Sequence, residues 1–233
     1  AGESFVVLEA MERSGGRAWT DTETFGVPVD WGCHWLHSAS INPMRQYADE
    51  LGIAYLDRHV PSRLAGSGVL LPESESEMLM QELHNLYERA LGAGNEGIDV
   101  PLSDVIDTSS PAYSLFESGV QAEWGFRPAQ VSTLDAARYK DTDQNWAVTD
   151  GYGALVQKVA AGIPVSLNTT VKQVILDGNG VRVVTDKGPI EANAVIVTVS
   201  TNVLSRGLID FQPDLPNWKL AAAAAVPLGS DNK

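Results

Sequence analysis

A chain of 233 residues, 44% hydrophobic and 20% charged, has the composition of a globular protein, with enough length for one large domain or two interleaved ones. Sixteen Lys and Arg stand against 30 Asp and Glu, a net charge of −14 that repels phosphate backbones and argues against nucleic-acid binding; it would draw in a cationic small molecule, although solubility alone accounts for it. The lone Cys33 excludes an internal disulfide, and no apolar stretch approaches the roughly 18 residues that span a bilayer. The residues given contain no basic-then-apolar leader, which favours a soluble, cytoplasmic protein over a secreted one.

In chain order, SFVVLE (4–9) predicts a short buried parallel strand that ends on a charge. VPVDW (27–31) predicts a second strand near a sheet edge, with Val27, Val29 and Trp31 on one face. NPMRQYADELG (42–52) reads as a helix with Asn42 as N-cap, Pro43 at the first helical position and Gly52 past the end. A long helix is expected over 74–91, with a Ser74/Glu77 capping box and an apolar stripe of Leu79, Leu83, Leu86, Tyr87, Ala90 and Leu91, ended by Gly92 and Gly94. Residues 102–145 read as helical in pieces. GYGALVQKVAAG (151–162) is a helix closed by Gly162, VKQVILDGNGVRVVTDKG (171–188) a hairpin about its DGNG turn, and EANAVIVTVS (191–200) another buried strand. The order α/β, helical, α/β predicts a dinucleotide-type domain interrupted by a helical insertion.

Three features carry chemistry. An acid at the end of the second strand of a βαβ unit holds a nucleotide ribose, and Glu9 has that position; taken alone it reads first as a solvated strand-end carboxylate. The usual Gly-x-Gly-x-x-Gly loop, about 20 residues upstream, would have to lie before Ala1. Gly15 and Gly16 permit close backbone approach to a bulky ligand, and Arg17 can meet a pyrophosphate or a flavin carbonyl. His34 and His37, three apart, make a weak metal pair without a third ligand, so no metal site is assigned.

With these features, the segments VVLEAMERSGGRAWT, VDWGCHWLH followed by NP, DGYGALVQKVA, VSLNTTVKQVI, AVIVTVSTNVL, IDFQPDLPNWK and PLGSDNK resemble the flavin-containing amine oxidases, the family of monoamine and polyamine oxidases. The resemblance covers most of the chain in the family's order, with 61–145 matching poorly. It implies an α/β (α+β) two-domain fold: a Rossmann-like FAD-binding domain (1–60 and 149–208), interrupted by a largely helical substrate domain (61–148), with 209–233 opening a second substrate segment and the whole truncated at both ends. The implied cofactor is FAD, bound covalently or non-covalently, and the implied partners are an amine and O2.

Carried over residue by residue, the resemblance makes Glu9 the ribose acid and Gly15, Gly16 and Arg17 the GGR turn. Gly32, Cys33, His34 and Trp35 become the stretch along the isoalloxazine ring, and Val171 the residue whose backbone meets the adenine. Thr198 lies at a T-V-P turn in which this chain has Ser200 for the proline. The family often has an arginine where this chain has Met11. His37 falls where polyamine oxidases place an active-site His or Glu in W-[IV]-[HE]-G, with Ser38 in place of the glycine. Lys233 matches the lysine that holds a water at flavin N5. The implied reaction is oxidation of an amine to an imine with O2 reduced to H2O2. L-amino-acid oxidases share the pattern but typically carry an arginine where this chain has Trp35, which favours an amine without a carboxylate. Another GGR-type flavoprotein, or a non-catalytic nucleotide-binding remnant inactive by itself, is the alternative.

Overall fold

A computed structural model describes residues 4–58, 63–66, 68–178 and 180–229. The chain begins with β1 (Val7–Leu8), β2 (Thr20–Asp21), β3 (Val29–Asp30), β4 (Trp35–Leu36), helix α1 (Pro43–Leu51) and β5 (Tyr55–Leu56). A small hairpin, β6 (Ala65–Gly66) and β7 (Val69–Leu70), precedes the helices α2 (Glu73–Asn95), α3 (Tyr113–Trp124) and α4 (Thr133–Arg138), with 3₁₀ turns at Leu102–Asp104 and Pro128–Gln130. Then come β8 (Trp146–Val148), α5 (Tyr152–Ala160), β9 (Val165–Ser166), β10 (Val171–Asp177), β11 (Gly180–Thr185), β12 (Gly188–Ala192), α6 (Thr201–Ser205), β13 (Asp210–Gln212) and α7 (Asn217–Ala225). No helix among the described residues is long and apolar enough to cross a membrane.

The chain divides into two compact units. The first comprises Ala1–His34, Gln46–Ala54 and Val148–Leu228. Here β1 runs parallel to β9, and the expected hairpin forms as β10 against β11, extended to a four-stranded sheet in the order β12-β11-β10-β13. Strand alternation buries Val181, Val183 and Thr185 from β11, and Val174, Val181, Val183 and Ile209 form a core with Leu8, Val171, Val203 and Phe211 against it. Helix α1 begins as read, with Asn42 Oδ1 accepting the Met44 N–H at 2.9 Å and Gly52 at φ +65° past its end.

Three expected strands are corrected. The segment 4–9 is parallel but only two residues pair, and Phe5, Val6 and Val7 are exposed, because β9 is the one neighbour the described residues give it. In 27–31 only Val29 and Asp30 pair, with β2, and the buried side chain is Asp30 while Val27 and Trp31 face outward. The strand expected over 191–200 stops at Ala192, leaving Val195, Ile196, Val197 and Val199 exposed. A strand is fixed by its neighbour's hydrogen bonds rather than by its own apolar content. Helix α5 also closes earlier than read, at Ala160, with Ala161 rather than Gly162 as its C-cap.

The second unit comprises Trp35–Arg45, Tyr55–Ala147 and Gly229–Lys233. Its core joins Leu86 and Ala90 of α2, Phe116 and Val120 of α3 and Ala136 of α4, with Leu102, Ala112 and Val131. The apolar stripe of α2 packs as expected, but the capping box does not form: Pro72 is the N-cap, without a side-chain bond. Gly92 and Gly94 do not end α2 either. The helix runs to Asn95 and closes on Gly97 (φ +83°), whose N–H donates to Gly94 O at 3.0 Å while that of Ile98 donates to Ala93 O at 3.0 Å, the two bonds of a Schellman motif.

Gly94 is a contact rather than a terminator. A Cβ there would meet Thr133 O at 2.0 Å and Ala137 Cβ at 2.7 Å, so α4 seats directly on the α2 backbone, whereas a Cβ on Gly92 would meet nothing within 4 Å. Urea unfolding should therefore separate the two glycines. Gly92→Ala raises stability by about 0.5–1 kcal/mol through helix propensity, and Gly94→Ala lowers it by about 1–3 kcal/mol because overpacking outweighs the same gain.

Candidate functional site

In the first unit the site builds outward from β1. Glu9 follows the last paired residue of this parallel strand; its N–H donates to Ser166 O at 3.0 Å and its carbonyl accepts from the Thr169 N–H at 2.8 Å. Its carboxylate Oε1 accepts from the Met11 N–H at 2.8 Å, while the Asn168 N–H donates to Met11 O at 2.8 Å. Met11 thus contributes its backbone N–H and carbonyl to this corner.

The turn that follows is wound on glycine. Gly15 (φ +100°) and Gly16 (φ +52°) occupy the left-handed region, and the Ala18 N–H closes onto Gly15 O at 2.9 Å. Arg13 pins it from within, donating to Gly16 O at 2.8 Å and lying 5.0 Å from the Trp19 ring centroid. Gln157 of α5 donates to Ser14 O at 2.6 Å. Arg17 is left exposed. Gly32 then comes against this turn: a Cβ there would lie 1.7 Å from Arg17 O, and the Cys33 N–H donates to that same oxygen at 3.2 Å. The structure therefore brings Gly15, Gly16, Arg17, Gly32 and Cys33 together.

Sequence reading missed the residue that organises this region. The Asp30 side chain, 1% exposed, accepts from Thr20 Oγ1 (2.5 Å) and the backbone N–H groups of Tyr152 (3.0 Å) and Gly153 (3.3 Å), and lies 3.0 Å from His34 Nδ1. Burial pushes this carboxyl up, but the bonds from Thr20, Tyr152, His34 and Gly153 outweigh it and hold it below the usual carboxylate range. The N-cap of α5 is Gly151, which has no side chain to cap with, so Asp30 and Thr20 satisfy the first helical N–H groups, the Ala154 N–H donating to Thr20 Oγ1 at 3.1 Å. A Cβ on Gly151 or Gly153 would strike Thr20 at 2.2 and 2.4 Å. A helix start with glycines in place of a capping residue was the available signal.

Val171 opens β10 and packs on the same core as Leu8 of β1, whereas Thr198 is exposed in the irregular segment before α6. Trp35 and His37 belong to the second unit; Lys233 lies outside the described residues. Trp35 pairs with Ala147 and Leu36 with Trp146, and His37 Nδ1 lies 2.8 Å from Asn145 Oδ1. Ser38 has φ +48°, the left-handed conformation suited to the glycine of the resembling element.

The same unit holds a cavity of about 560 Å³ between α2, α3 and the segment after α4. Glu88, Glu123, Asp141 and Asp143 line it with Tyr87, Trp124 and Tyr139. Burial, and then the charge of Asp141, push the Glu123 carboxyl up, His37 opposing. Among the described residues no group of three or more His, Cys, Asp or Glu could hold a metal ion.

A family model described as flavin containing amine oxidoreductase matches residues 1–66 and 59–233. The chain belongs to this family. FAD is the family's cofactor, and its members are flavoprotein oxidoreductases. Polyamine oxidase 4 of Oryza sativa subsp. japonica is 28% identical over 98% of this chain and 53% of its own length. Probable polyamine oxidase 4 of Arabidopsis thaliana is 29% identical over 98% and 52%. Lysine-specific histone demethylase 2 of Homo sapiens is 27% identical over 98% and 31%. The chain spans about half the length of the polyamine oxidases it matches. Cyclohexylamine oxidase from Brevibacterium oxydans IH-35A shares the fold with a TM-score of 0.69 at 22% identity, over 96% of this chain and 58% of that one. A redesigned putrescine oxidase gives 0.64 at 20% identity, over 94% and 57%.

The Asp30 cluster makes a prediction of its own. Asp30→Ala leaves the Thr20 hydroxyl and two helix N–H groups without their acceptor and should cost about 2–4 kcal/mol in denaturant unfolding. Because the folded-state pKa is depressed, the wild-type advantage is present above the ordinary carboxylate pKa of about 3.9 and is lost as pH falls through the lower folded value. The stability difference between wild type and Asp30→Ala should shrink in that acidic window.

Proposed function

We propose that the protein carrying these residues is an FAD-dependent amine oxidase acting on a polyamine or monoamine. The CH–NH unit loses two electrons and two protons to become the imine, and both reach O2 to give H2O2. The observation that carries the reading lies in the first unit, where the turn with left-handed Gly15 and Gly16 meets Gly32 at a distance only glycine allows, downstream of a carboxylate at the end of a parallel strand. Family membership supports the same reading.

The donor set fits the cofactor. Glu9 can accept from ribose hydroxyls at the end of a parallel strand, where nucleotides bind. The exposed Arg17, with the open backbone of Gly15 and Gly16, suits a pyrophosphate or a flavin carbonyl. Gly32, Cys33, His34 and Trp35 are assigned to the isoalloxazine side, Val171 and Thr198 to the remaining cofactor contacts. When bound, FAD supplies the two-electron chemistry. Residues 1–60 and 149–208 are assigned to the FAD-binding domain, 61–148 to the helical substrate domain and 209–233 to the start of a second substrate segment.

His37 would hold the amine nitrogen, and Lys233 a water for the oxygen step. A cationic substrate is supported by the net charge of −14 and by the cavity in which carboxylates stand beside aromatic faces, the environment an ammonium with an apolar stem favours.

Anaerobic mixing of the FAD-loaded protein with amines tests the reading directly. Bleaching of the oxidised-flavin absorbance by an amine is expected, and bleaching by L-amino acids alone would replace the substrate class. Glu9→Ala should weaken FAD retention by about 1–3 kcal/mol, read as flavin lost on dialysis. Stopped-flow separation of the half-reactions should show His37→Ala slowing reduction by amine while reoxidation stays nearly intact. Lys233→Met should slow reoxidation by roughly ten-fold or more, about 1.4 kcal/mol on that barrier, with amine reduction changing less. An unchanged oxygen step in Lys233→Met would remove that residue from the reading.

A further inference from the structure

The segment after β4 and the segment before β8 continue the antiparallel pairing past Leu36↔Trp146, with the Ala39 N–H donating to Gln144 O at 2.7 Å. That backbone brings His37 beside Asn145 and Ser38 beside Asp141. Ser38 Oγ donates to Asp141 Oδ1 at 3.0 Å and accepts from the Thr142 N–H at 3.2 Å, and the Asp143 N–H donates to Asp141 Oδ1 at 3.1 Å. Asn145 Nδ2 donates to Asp141 Oδ2 at 3.1 Å, and Asn145 Oδ1 faces His37 Nδ1 at 2.8 Å. On the other side, Asn42 Nδ2 holds the His37 carbonyl at 2.8 Å.

These bonds have only one consistent set of directions. An ionised carboxylate accepts and never donates, so the amide NH2 of Asn145 must face Asp141 and its carbonyl oxygen must face the ring. That oxygen cannot donate, so His37 Nδ1 must carry the proton. Asp141 is kept ionised: burial raises its pKa, but the bonds from Asn145, Ser38 and the Thr142 and Asp143 amides outweigh burial and hold it below the usual carboxylate range. The left-handed Ser38 fits this account, since its hydroxyl locks the turn onto Asp141 in a conformation for which a glycine would be the ordinary choice.

We infer that Asp141, acting through Asn145, is a positioning residue that fixes the neutral His37 imidazole as its Nδ1–H tautomer and leaves Nε2 as a hydrogen-bond acceptor. The inference rests on the reading of His37 as a substrate-side group. On that reading Nε2 is the atom that receives an N–H of the amine, so Asp141 sets which partner the ring selects: a donor such as an ammonium rather than an acceptor such as a carboxylate.

The tautomer can be read without flavin or amine, by long-range proton–nitrogen correlation NMR of the ¹⁵N-histidine-labelled protein at about pH 9, above the ordinary histidine titration range. His37→Gln identifies the resonances. The expected wild-type result is Nδ1–H as the major form, the reverse of the Nε2–H form that a free neutral imidazole favours. Asn145→Leu should return the ring to Nε2–H, and Asp141→Asn, which lets the Asn145 amide turn over, should lower the Nδ1–H fraction. Unchanged His34 and His84 resonances in each variant report an intact fold, and should Asn145→Leu misfold, the exposed Asp141→Asn change still decides. A wild-type ring in the Nε2–H form overturns the proposal, and so does an Asp141→Asn variant with the wild-type tautomer. The half-reaction behaviour of His37→Ala tests the substrate-side reading separately, so the two can fail apart.

Discussion

The carboxylate of Asp30 ties two paired strands and the stretch after them to a helix far along the chain. It caps a helix that begins 122 residues later, accepts from Thr20 on the paired strand, and meets His34 four residues on. A buried charge costs free energy unless it is neutralised or hydrogen-bonded, and here the bonds come from groups that need an acceptor as much as the anion needs donors. The glycines at 151 and 153 are the counterpart on the helix side, since any side chain there would hold α5 away from Thr20. Asp30 and His34 bracket the Gly32–Cys33 stretch, and that stretch rests on the carbonyl of Arg17. The anion and its donors thus help to place Gly32 against the Gly-Gly-Arg turn, which Arg13 and Gln157 also hold.

In the helical unit the constraint is contact distance instead of charge. Gly94 lets α4 lie on the backbone of α2, and the aromatic pair Tyr87 and Phe116, 4.8 Å between centroids, packs α2 on α3. That arrangement leaves the carboxylates of Glu88, Glu123, Asp141 and Asp143 around one cavity. Burial and Asp141 make ionisation of Glu123 less favourable, which is the electrostatic condition a cationic ligand relieves. Asp141 belongs both to the lining of this cavity and to the hydrogen bonds that orient His37.

Local signals in the sequence determined the parts governed by local physics. Asn42-Pro43 and Gly52 bounded α1, the DGNG turn set the β10–β11 hairpin, and the apolar stripe of α2 found its core. Glu9 and the Gly-Gly-Arg turn were legible because a strand-end acid and left-handed glycines are properties of a few consecutive residues, and the family was legible from the same segments. Tertiary structure alone decided the rest. Alternation in VPVDW pointed Val27 and Trp31 inward, yet Asp30 is buried because its donors arrive from residues 20, 152 and 153. Gly94 read as a terminator because a helix-breaking residue and a close-packing residue are the same residue until the neighbouring helix is in place. The segment 195–199 read as a buried strand from its apolar content, but burial belongs to a partner's position, and the described residues supply none. His37 could be named from its motif, whereas the proton on its Nδ1 follows only from Asn145 and Asp141, more than 100 residues away and aligned by the pairing of β4 with β8.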